Sequence, residues 1–291
     1  MNSTNNKELL SSKNIAGIVL KPNAKHLKDV YPSIKEKFQN YGISIIIEES
    51  SAKMIDEDEY FDFETLCEKS DFLVAIGGDG TLISVARRSF AFNKAVLGIN
   101  LGTLGFLTSV LPAELEDFLE DFVKDIYSLD KRMVINTTIG LTKSVAFNDI
   151  VITRKSVANM VNIDAKINGK IFNSYYGDGL VISTPIGSTA YNLSAGGPLV
   201  HPITEAFIVT PISAHSLTQR PMVLPSHFEI ELSTPDKEGA MIIIDGQDIY
   251  EIDQNETIKV QIPNEKSKLI RTKDRDYFQV LNQKLNWGMS Q

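Results

Sequence analysis

The sequence has little cysteine, no long apolar run and no signal-like leader. Its single cysteine, Cys67, excludes an intramolecular disulfide and a cysteine-based zinc site, and it suits a reducing cytoplasm. No apolar run approaches the roughly 20 residues that a membrane helix needs. Residues 1–13 are polar and lack the apolar core of a signal peptide. We therefore expect a cytoplasmic protein with no membrane partner.

Positive charge is also in short supply. The 291 residues carry 29 Lys and Arg against 37 Asp and Glu, which gives a formal net charge of −8. Proteins that bind nucleic acid through its backbone need a basic face. Because no cluster of Lys and Arg is visible, we predict no nucleic-acid partner. The apolar fraction of 43% is typical of a folded globular protein of one large or two ordinary domains.

Strand-like and helical segments alternate in the first part of the chain. Apolar runs cover Ile15–Leu20 and residues 43–47, 73–76 and 95–99, and helical spacing covers residues 27–41, 62–69, 82–89 and 112–126. This alternation predicts a Rossmann-like α/β domain, a parallel sheet with helices on both faces. Pro32 lies inside the first helical segment and is expected to kink or split it. In such sheets, ligands bind beyond the carboxyl ends of the strands.

Short strand-like segments follow one another after residue 130. They cover residues 133–141, 144–153, 161–167, 170–176, 179–184, 222–224, 227–232, 241–244, 248–252 and 257–262. This spacing predicts an all-β sandwich, with a type I′ hairpin turn at Asn168 and Gly169. We divide the chain into a disordered lead-in (1–13), an α/β domain (14–130), the β sandwich (131–270) and a segment (271–291) whose helix returns to the α/β domain.

A glycine-rich loop, GGDGT at residues 77–81, follows the third strand. Glycines let a ligand approach the main chain, and the N–H groups that begin the next helix attract phosphate. The loop is neither a Walker A motif nor a dinucleotide fingerprint. A phosphate site repels an acid, so Asp79 needs another role: a metal ion, a ribose hydroxyl, a proton to be removed, or the cap of the helix.

Two shorter stretches leave alternatives open. Residues 100–107 (NLGTLGFL) offer two glycines and the flat face of Phe106, and they fit either a ligand loop or an ordinary βα loop. Asn148 and Asp149 could bond two ribose hydroxyls, but a polar turn explains them equally well. Asp245-Gly246-Gln247 is most simply a hairpin turn. The four histidines have no metal-binding spacing, and no Ser/His/Asp set is indicated.

The richest stretch is GDGLVISTPIGSTAYNLSAGGP at residues 177–198. Asp178 lies between two glycines at the start of a strand, and small hydroxyl residues follow. Ser and Thr at the start of a helix can hold sugars or phosphates without adding charge. Tyr191 can stack on a base and still donate its hydroxyl. A purely structural loop rarely concentrates so many small polar groups, so a binding role is favoured.

These motifs occur together, in this order, in one family: the sequence resembles the bacterial NAD kinases. The resemblance runs from Ile15 to residues 285–288. Its most specific parts are residues 77–81, 100–107, 147–149 and 178–198, and the last of these narrows the choice of family. The glycine loop alone is shared with diacylglycerol kinases and phosphofructokinases. The resemblance implies that ATP, with a divalent metal such as Mg²⁺, phosphorylates the 2′-hydroxyl of the adenosine ribose of NAD to give NADP.

The resemblance also implies roles for individual residues, with Asp79 matching the proton acceptor. The NAD contacts that it implies are Asp79, Gly80, Phe106, Asn148, Asp149, Asp178, Thr189, Ala190, Tyr191, Asn192, Leu193, Ser194 and Gln247. Contacts to the ATP phosphates are expected from Gly77, Gly78, Gly80 and Thr81. Family enzymes are homo-oligomers, so a dimer or tetramer with NAD sites at subunit contacts is expected.

Three positions depart from the family pattern. The family usually has Glu where this chain has Asp149, and often has basic residues where it has Asn159 and Tyr176. Two rival hypotheses are a lipid or sugar kinase of the same superfamily, which residues 178–194 disfavour, and a catalytically silent NAD sensor, which the intact Asp79 disfavours.

Overall fold

The computed structural model describes residues 9–102, 105–156, 159–216, 218–273 and 277–285. Contacts divide the chain into two compact units, one formed by the residues up to Lys131 together with those from Ser267, and one formed by Arg132–Lys266. None of the helices in the described ranges has the length and the apolar character that a membrane span requires.

The first unit contains most of the helices. Its elements up to residue 132 are β1 (Ile15–Leu20), α1 (Leu27–Asn40), β2 (Ser44–Ile47), α2 (Glu49–Ile55), α3 (Phe63–Lys69), β3 (Phe72–Gly77), α4 (Asp79–Arg88), β4 (Ala95–Asn100), α5 (Leu115–Val123) and β5 (Ser128–Arg132), with a 3₁₀ turn at Phe90–Phe92. The chain later returns to this unit.

The second unit is built almost entirely of strands. They are β6 (Ile135–Ile139), β7 (Thr142–Ala146), β8 (Asp149–Thr153), β9 (Val161–Ile167), β10 (Lys170–Gly177), β11 (Gly179–Ser183), β12 (Ala206–Ile212), β13 (Met222–Pro225), β14 (Ile230–Ser233), β15 (Ala240–Ile244), β16 (Asp248–Ile252) and β17 (Ile258–Gln261). A 3₁₀ turn (Ile186–Thr189) and the short α6 (Tyr191–Ser194) follow β11. The first unit is then completed by β18 (Ser267–Arg271) and α7 (Tyr277–Leu285).

The sheet of the first unit has the order β2-β1-β3-β4-β18-β5. The ladders β1–β2, β1–β3, β3–β4 and β4–β18 are parallel. Every residue of β3 and β4 is buried, as expected of apolar runs that do not alternate. Gly77 pairs with Asn100 at the ends of these two strands, so the glycine loop and the segment after β4 lie side by side, as predicted. Cys67 is fully buried in α3.

Two six-stranded antiparallel sheets form the second unit. Their orders are β10-β9-β14-β17-β6-β7 and β13-β12-β11-β8-β15-β16. One cluster of buried apolar side chains draws on both sheets, and β6, β9, β14 and β15 alternate buried with half-buried residues. This is the packing that a sandwich requires. The predicted α/β domain followed by an all-β sandwich is confirmed.

Several local expectations needed correction. Pro32 neither splits nor ends α1, which runs unbroken through it. The single strand expected over residues 144–153 is two strands, β7 and β8, with a break at residues 147–148. The strand β18 begins four residues before the boundary drawn at 271, because it pairs with β4 in the first sheet.

The chain start differs in part from the expected lead-in. Residues 1–8 lie outside the described residues, as do residues 286–288 of the ending that contributed to the resemblance. Residues 9–13 are not a disordered lead-in, because they contact the first unit: Leu10 N donates to the Tyr127 hydroxyl at 2.7 Å, and Lys13 Nζ donates to Phe122 O at 2.8 Å.

Candidate functional site

Asp79, the first residue of α4, is the best-anchored carboxylate of the glycine loop. Its Oδ2 accepts the N–H of Phe106 at 2.7 Å. Its Oδ1 accepts the N–H of Leu107 at 3.2 Å, and both the N–H and the hydroxyl of Thr108, at 2.8 and 2.9 Å. The side chain therefore does not cap its own helix. It joins the turn after β3 to the segment after β4 through four hydrogen bonds.

Glycines make this close approach possible. A Cβ added to Gly105 would lie 2.1 Å from Asp79 Oδ1, and one added to Gly77 would lie 2.4 Å from Thr81 Oγ1. Neither position can carry a side chain without moving its neighbour. At Gly78 and Gly80, by contrast, an added Cβ would meet no described atom within 4 Å. The first pair of glycines is required by the fold, and the second pair is not.

A cavity of about 500 Å³ opens beside this loop. Gly77, Gly78, Asp79, Asn100 and Gly105 line it, together with Leu101, Gly102 and three basic residues, Lys21, His26 and Lys284. Its volume is that of a site for a nucleotide-sized ligand. The glycine loop was predicted as a phosphate site. Sequence reasoning missed the three basic residues, because they come from segments that no local motif connects to the loop.

The remaining predicted residues of the first unit have mixed exposure. Thr81 is buried, Gly80 is exposed and Phe106 is half-buried. The Phe106 carbonyl accepts a bond from Arg271 Nη2 at 3.2 Å, and Arg271 forms an ion pair with Asp130 at 2.9 Å. Residues 103–104 of the predicted ligand loop lie outside the described residues.

A second carboxylate, Asp245, organises the Asn148–Asp149 motif in the other unit. Asp245 follows β15 with φ of +49°, and its oxygens accept the N–H groups of Phe147, Asn148 and Asp149 at 2.7, 2.7 and 3.0 Å. These bonds hold the break between β7 and β8. The sequence indicated a hairpin turn at Asp245, and the turn is there, but its carboxylate also positions the predicted NAD contacts Asn148 and Asp149.

Asp149 is buried, at 4% exposure. Burial, together with the nearby negative charge of Asp245, raises the pKa of its carboxyl to about 7, although a backbone hydrogen bond from Tyr191 acts in the opposite direction. Asn148, Asp149, Asp245 and Tyr191 thus form one cluster. Gln247 lies two residues beyond Asp245, on the exposed hairpin before β16.

The segment after β11 is rigidly held by its own polar side chains. The Asn192 amide is fully buried: its Nδ2 donates to Ser188 O and Pro198 O, and its Oδ1 accepts the Thr210 hydroxyl at 2.6 Å. Asn192 therefore shapes this segment, and its role as an NAD contact stays a prediction. Tyr191 is 46% exposed, and Ser194 is also exposed, whereas Thr189, Ala190 and Leu193 are half-buried.

Asp178 lies away from the cluster around Asp149, just before the end of β11 that pairs with Thr153. Its Oδ1 forms an ion pair with Arg154 Nη1 at 3.2 Å. Arg154 also lines a cavity of about 670 Å³ together with Asn159 and Tyr176, two of the positions at which the sequence departs from the family that it resembles. The two ends of the β8–β11 ladder therefore separate Asp178 from the cluster around Asp149, although both acids belong to the same predicted NAD-binding set.

The raised pKa of Asp149 gives a testable dependence of stability on pH. The folded chain keeps a proton at Asp149 that the unfolded chain, with a pKa near 3.9, releases. The stability that this proton supplies is complete below about pH 4 and is lost as the pH rises through 7. From pH 5 to pH 8, wild type should lose about 2–3 kcal/mol of unfolding free energy relative to Asp149→Asn.

Urea unfolding at a series of pH values measures this difference. Asp253→Asn, at an exposed carboxyl of the same unit, serves as the matched control and should run parallel to wild type. Parallel curves for wild type and Asp149→Asn would show that Asp149 is ionised in the fold.

Comparison with known proteins shows the family. The model of the ATP-NAD kinase N-terminal domain matches residues 16–127, and that of the ATP-NAD kinase C-terminal domain matches residues 147–272. The NAD kinase of Sulfurimonas denitrificans is 46% identical over 276 residues, which are 94% of this chain and 96% of that protein. The NAD kinase of Wolinella succinogenes is 43% identical over 96% of this chain and 97% of its own.

Solved structures agree in fold. An NAD kinase from Archaeoglobus fulgidus in complex with ATP has a TM-score of 0.74 at 25% identity, covering 94% of this chain and 98% of its own. A yeast NADH kinase complexed with NADH has a TM-score of 0.86, covering 100% of this chain and 94% of its own; at 23% identity it supports the fold alone. On the strength of both domain models and of relatives that match along nearly its whole length, the chain belongs to the NAD kinase family.

Proposed function

We propose that Asp79 is the residue at which this NAD kinase positions its acceptor. The enzyme transfers the terminal phosphoryl group of ATP to NAD, giving ADP and NADP. In the proposed step, the 2′-oxygen of the adenosine ribose forms the new bond to phosphorus, the bond to the ADP oxygen breaks, and the hydroxyl proton passes to Asp79.

The observation that best supports this role is that the two oxygens of Asp79 accept different numbers of hydrogen bonds. Oδ1 accepts three hydrogen bonds, whereas Oδ2 accepts one, from Phe106 N. A carboxylate oxygen has two lone-pair sites, so Oδ2 keeps room for a ribose hydroxyl. The other oxygen fixes the carboxylate in place. A base held in this way aligns the hydroxyl before any proton moves.

Alignment is expected to supply most of the rate enhancement. A ribose hydroxyl is a far weaker acid than Asp, so the proton leaves late, as the new bond to phosphorus forms. Holding two reactants in line can account for roughly 7–11 kcal/mol of a barrier. Phosphoryl transfer depends on positioning and charge neutralisation rather than on covalent chemistry by the protein.

Asp79→Asn tests this assignment. The amide loses an acceptor and cannot take the proton, so turnover should fall about 10²–10⁴-fold, measured as NADP formed from NAD, ATP and Mg²⁺. NAD affinity, measured by calorimetry, should change much less. Near-normal turnover would remove Asp79 from the reaction.

Thr108→Val separates the chemical role from the anchoring role. It removes the hydroxyl that donates to Asp79 Oδ1 and that also accepts bonds from Asn100 Nδ2 and Gly105 N, and it leaves the carboxylate in place. We expect a loss of about tenfold, smaller than in Asp79→Asn, because the carboxylate and its three bonds from backbone N–H groups remain. Equal losses in both variants would mean that Asp79 only holds residues 106–108.

We also propose that a divalent cation arrives with ATP. No group of three or more His, Cys, Asp or Glu side chains in the described ranges could hold a metal. Mg²⁺ is commonly held by substrate phosphates, waters and one or two carboxylates, and it neutralises phosphate charge when bound. Removal of divalent ions with EDTA should abolish turnover, and added Mg²⁺ should restore it; turnover that survives EDTA would contradict this proposal.

A homo-oligomer, either a dimer or a tetramer, is proposed for the second unit. Met222 and Val223 are adjacent and exposed on β13, an edge strand, and Ile171 is 85% exposed on the edge strand β10. Apolar side chains on open sheet edges favour pairing with another chain. Light scattering should give a multiple of 32.3 kDa, and the mass of one chain would contradict the proposal.

We further propose a cytoplasmic location, which fractionation of cells would check.

The rival functions gain no support from the relatives. The four similar proteins named above are called NAD kinases or an NADH kinase, and none of these names refers to a lipid or a sugar. The relatives that show the family are called kinases, which also disfavours a silent NAD sensor.

A further inference from the structure

We propose that Lys21 and Lys284, with His26 beside them, bind the phosphate chain of the ATP donor. All three line the 500 Å³ cavity next to the glycine loop. The proposal rests on the NAD kinase activity described above and adds to it the residues that hold the donor. It also gives the helix near the chain end, α7, a part in the site.

Charge is the first argument. The chain as a whole is acidic, with a net charge of −8, yet two lysines face one carboxylate among the described residues of this cavity. That carboxylate, Asp79, already accepts four hydrogen bonds from residues 106–108. A polyphosphate, which carries several negative charges over a short length, is complementary to the lysine side chains that line this cavity.

A backbone hydrogen bond fixes the position of Lys21 relative to the glycine loop. Lys21 is the first residue after β1, and its N–H donates to Ile76 O at 2.9 Å, which continues the pairing of β1 with β3. Its Cβ lies 3.0 Å from the position of a Cβ added to Gly77. The exposed side chain of Lys21 therefore starts directly beside the glycine loop. His26 immediately precedes α1, and Lys284 lies in the last turn of α7.

Gly78 supplies an independent argument. Its φ of −116° and ψ of −169° suit any residue, and an added Cβ would meet no described atom within 4 Å. Glycine loses more backbone freedom on folding than other residues, so the fold itself gains nothing from glycine here. Gly78 lines the cavity, and the space that its missing side chain leaves open is available to a ligand.

The cavity chemistry indicates phosphate rather than adenine. A base pocket needs apolar or aromatic surface. Among the described residues that line this cavity, the imidazole of His26 is the only ring, and Leu101 is the only large apolar side chain. The rest is glycine, amide and charge. The part of ATP that this cavity fits is therefore the triphosphate.

Lys21→Gln and Lys284→Gln test the assignment. Each variant removes one positive charge and keeps a similar length, so the KM for ATP should rise about tenfold, the value of one lost hydrogen bond between charged groups. The KM for NAD should stay within about twofold. Lys284→Arg should retain most of the wild-type affinity for ATP, because the charge remains. Lys25→Gln is the matched control: Lys25 is exposed in the same loop as Lys21 but does not line the cavity.

Binding of inorganic tripolyphosphate, measured by calorimetry without NAD, gives a second readout. Wild type and Lys25→Gln should bind it, and Lys21→Gln and Lys284→Gln should bind it about tenfold more weakly. Gly78→Ala should keep the fold, by circular dichroism, and lose affinity for the same probe.

The outcomes separate this proposal from the enzyme assignment. Wild-type turnover together with an unchanged KM for ATP in both lysine variants, or a rise in the KM for NAD instead, would overturn the phosphate assignment and leave the activity standing. A wild-type protein that makes no NADP yet binds tripolyphosphate through Lys21 and Lys284 would overturn the activity and keep the phosphate site.

Discussion

The bond network of Asp79 is the constraint on which the first unit's site depends. One carboxylate receives three backbone N–H groups and one hydroxyl from residues 106–108. Hydrogen bonds to a charged group are each worth roughly 1.5–3 kcal/mol, so the segment after β4 has a strong reason to take this one conformation. Gly105 has to be glycine for the approach to occur. The same contacts leave one lone-pair site of Oδ2 for a substrate hydroxyl, so anchoring and chemistry share a single side chain.

The second unit also contains a carboxylate that accepts several backbone N–H groups, but here a second acid lies beside it. Asp245 receives three backbone N–H groups from residues 147–149 and holds the start of β8. Its neighbour Asp149 has no comparable set of donors and is buried, which is why burial and the nearby charge raise the pKa of Asp149. Asp245 accepts hydrogen bonds from backbone donors, whereas the environment of Asp149 favours its protonated form. A Glu at position 149 would have to fit a longer side chain into this buried space.

Local signals predicted much of the fold. Continuous apolar runs gave β1, β3 and β4, and Asn168-Gly169 gave its hairpin, with φ of +49° and +75°. The helix α2 was missed because its residues are mostly polar; Glu48, which accepts the Ser51 N–H at 3.1 Å, starts it instead. The strand β12 contains Pro211, and β18 pairs with a strand about 170 positions earlier in the chain, so neither had a local signature.

The site residues also fall into two groups: those that a local motif predicts and those that depend on tertiary contacts. The glycine loop, Asp79 and residues 177–198 were visible as motifs. The partners of Asp79, the role of Asp245, the buried amide of Asn192 and the basic residues of the cavity depend on contacts between distant segments. A motif shows which residues are unusual, but only the tertiary structure shows which groups already have partners and which are open to a ligand.

The buried Cys67 carries a practical consequence. Burial raises the pKa of its thiol to about 11, and alkylating reagents attack the thiolate. At pH 8 only about one molecule in a thousand would present a thiolate while α3 stays folded, and the side chain is out of reach of solvent. Since this is the sole sulfhydryl of the chain, its labelling rate with a chromogenic disulfide would record the transient opening of the first unit alone, without any engineered probe.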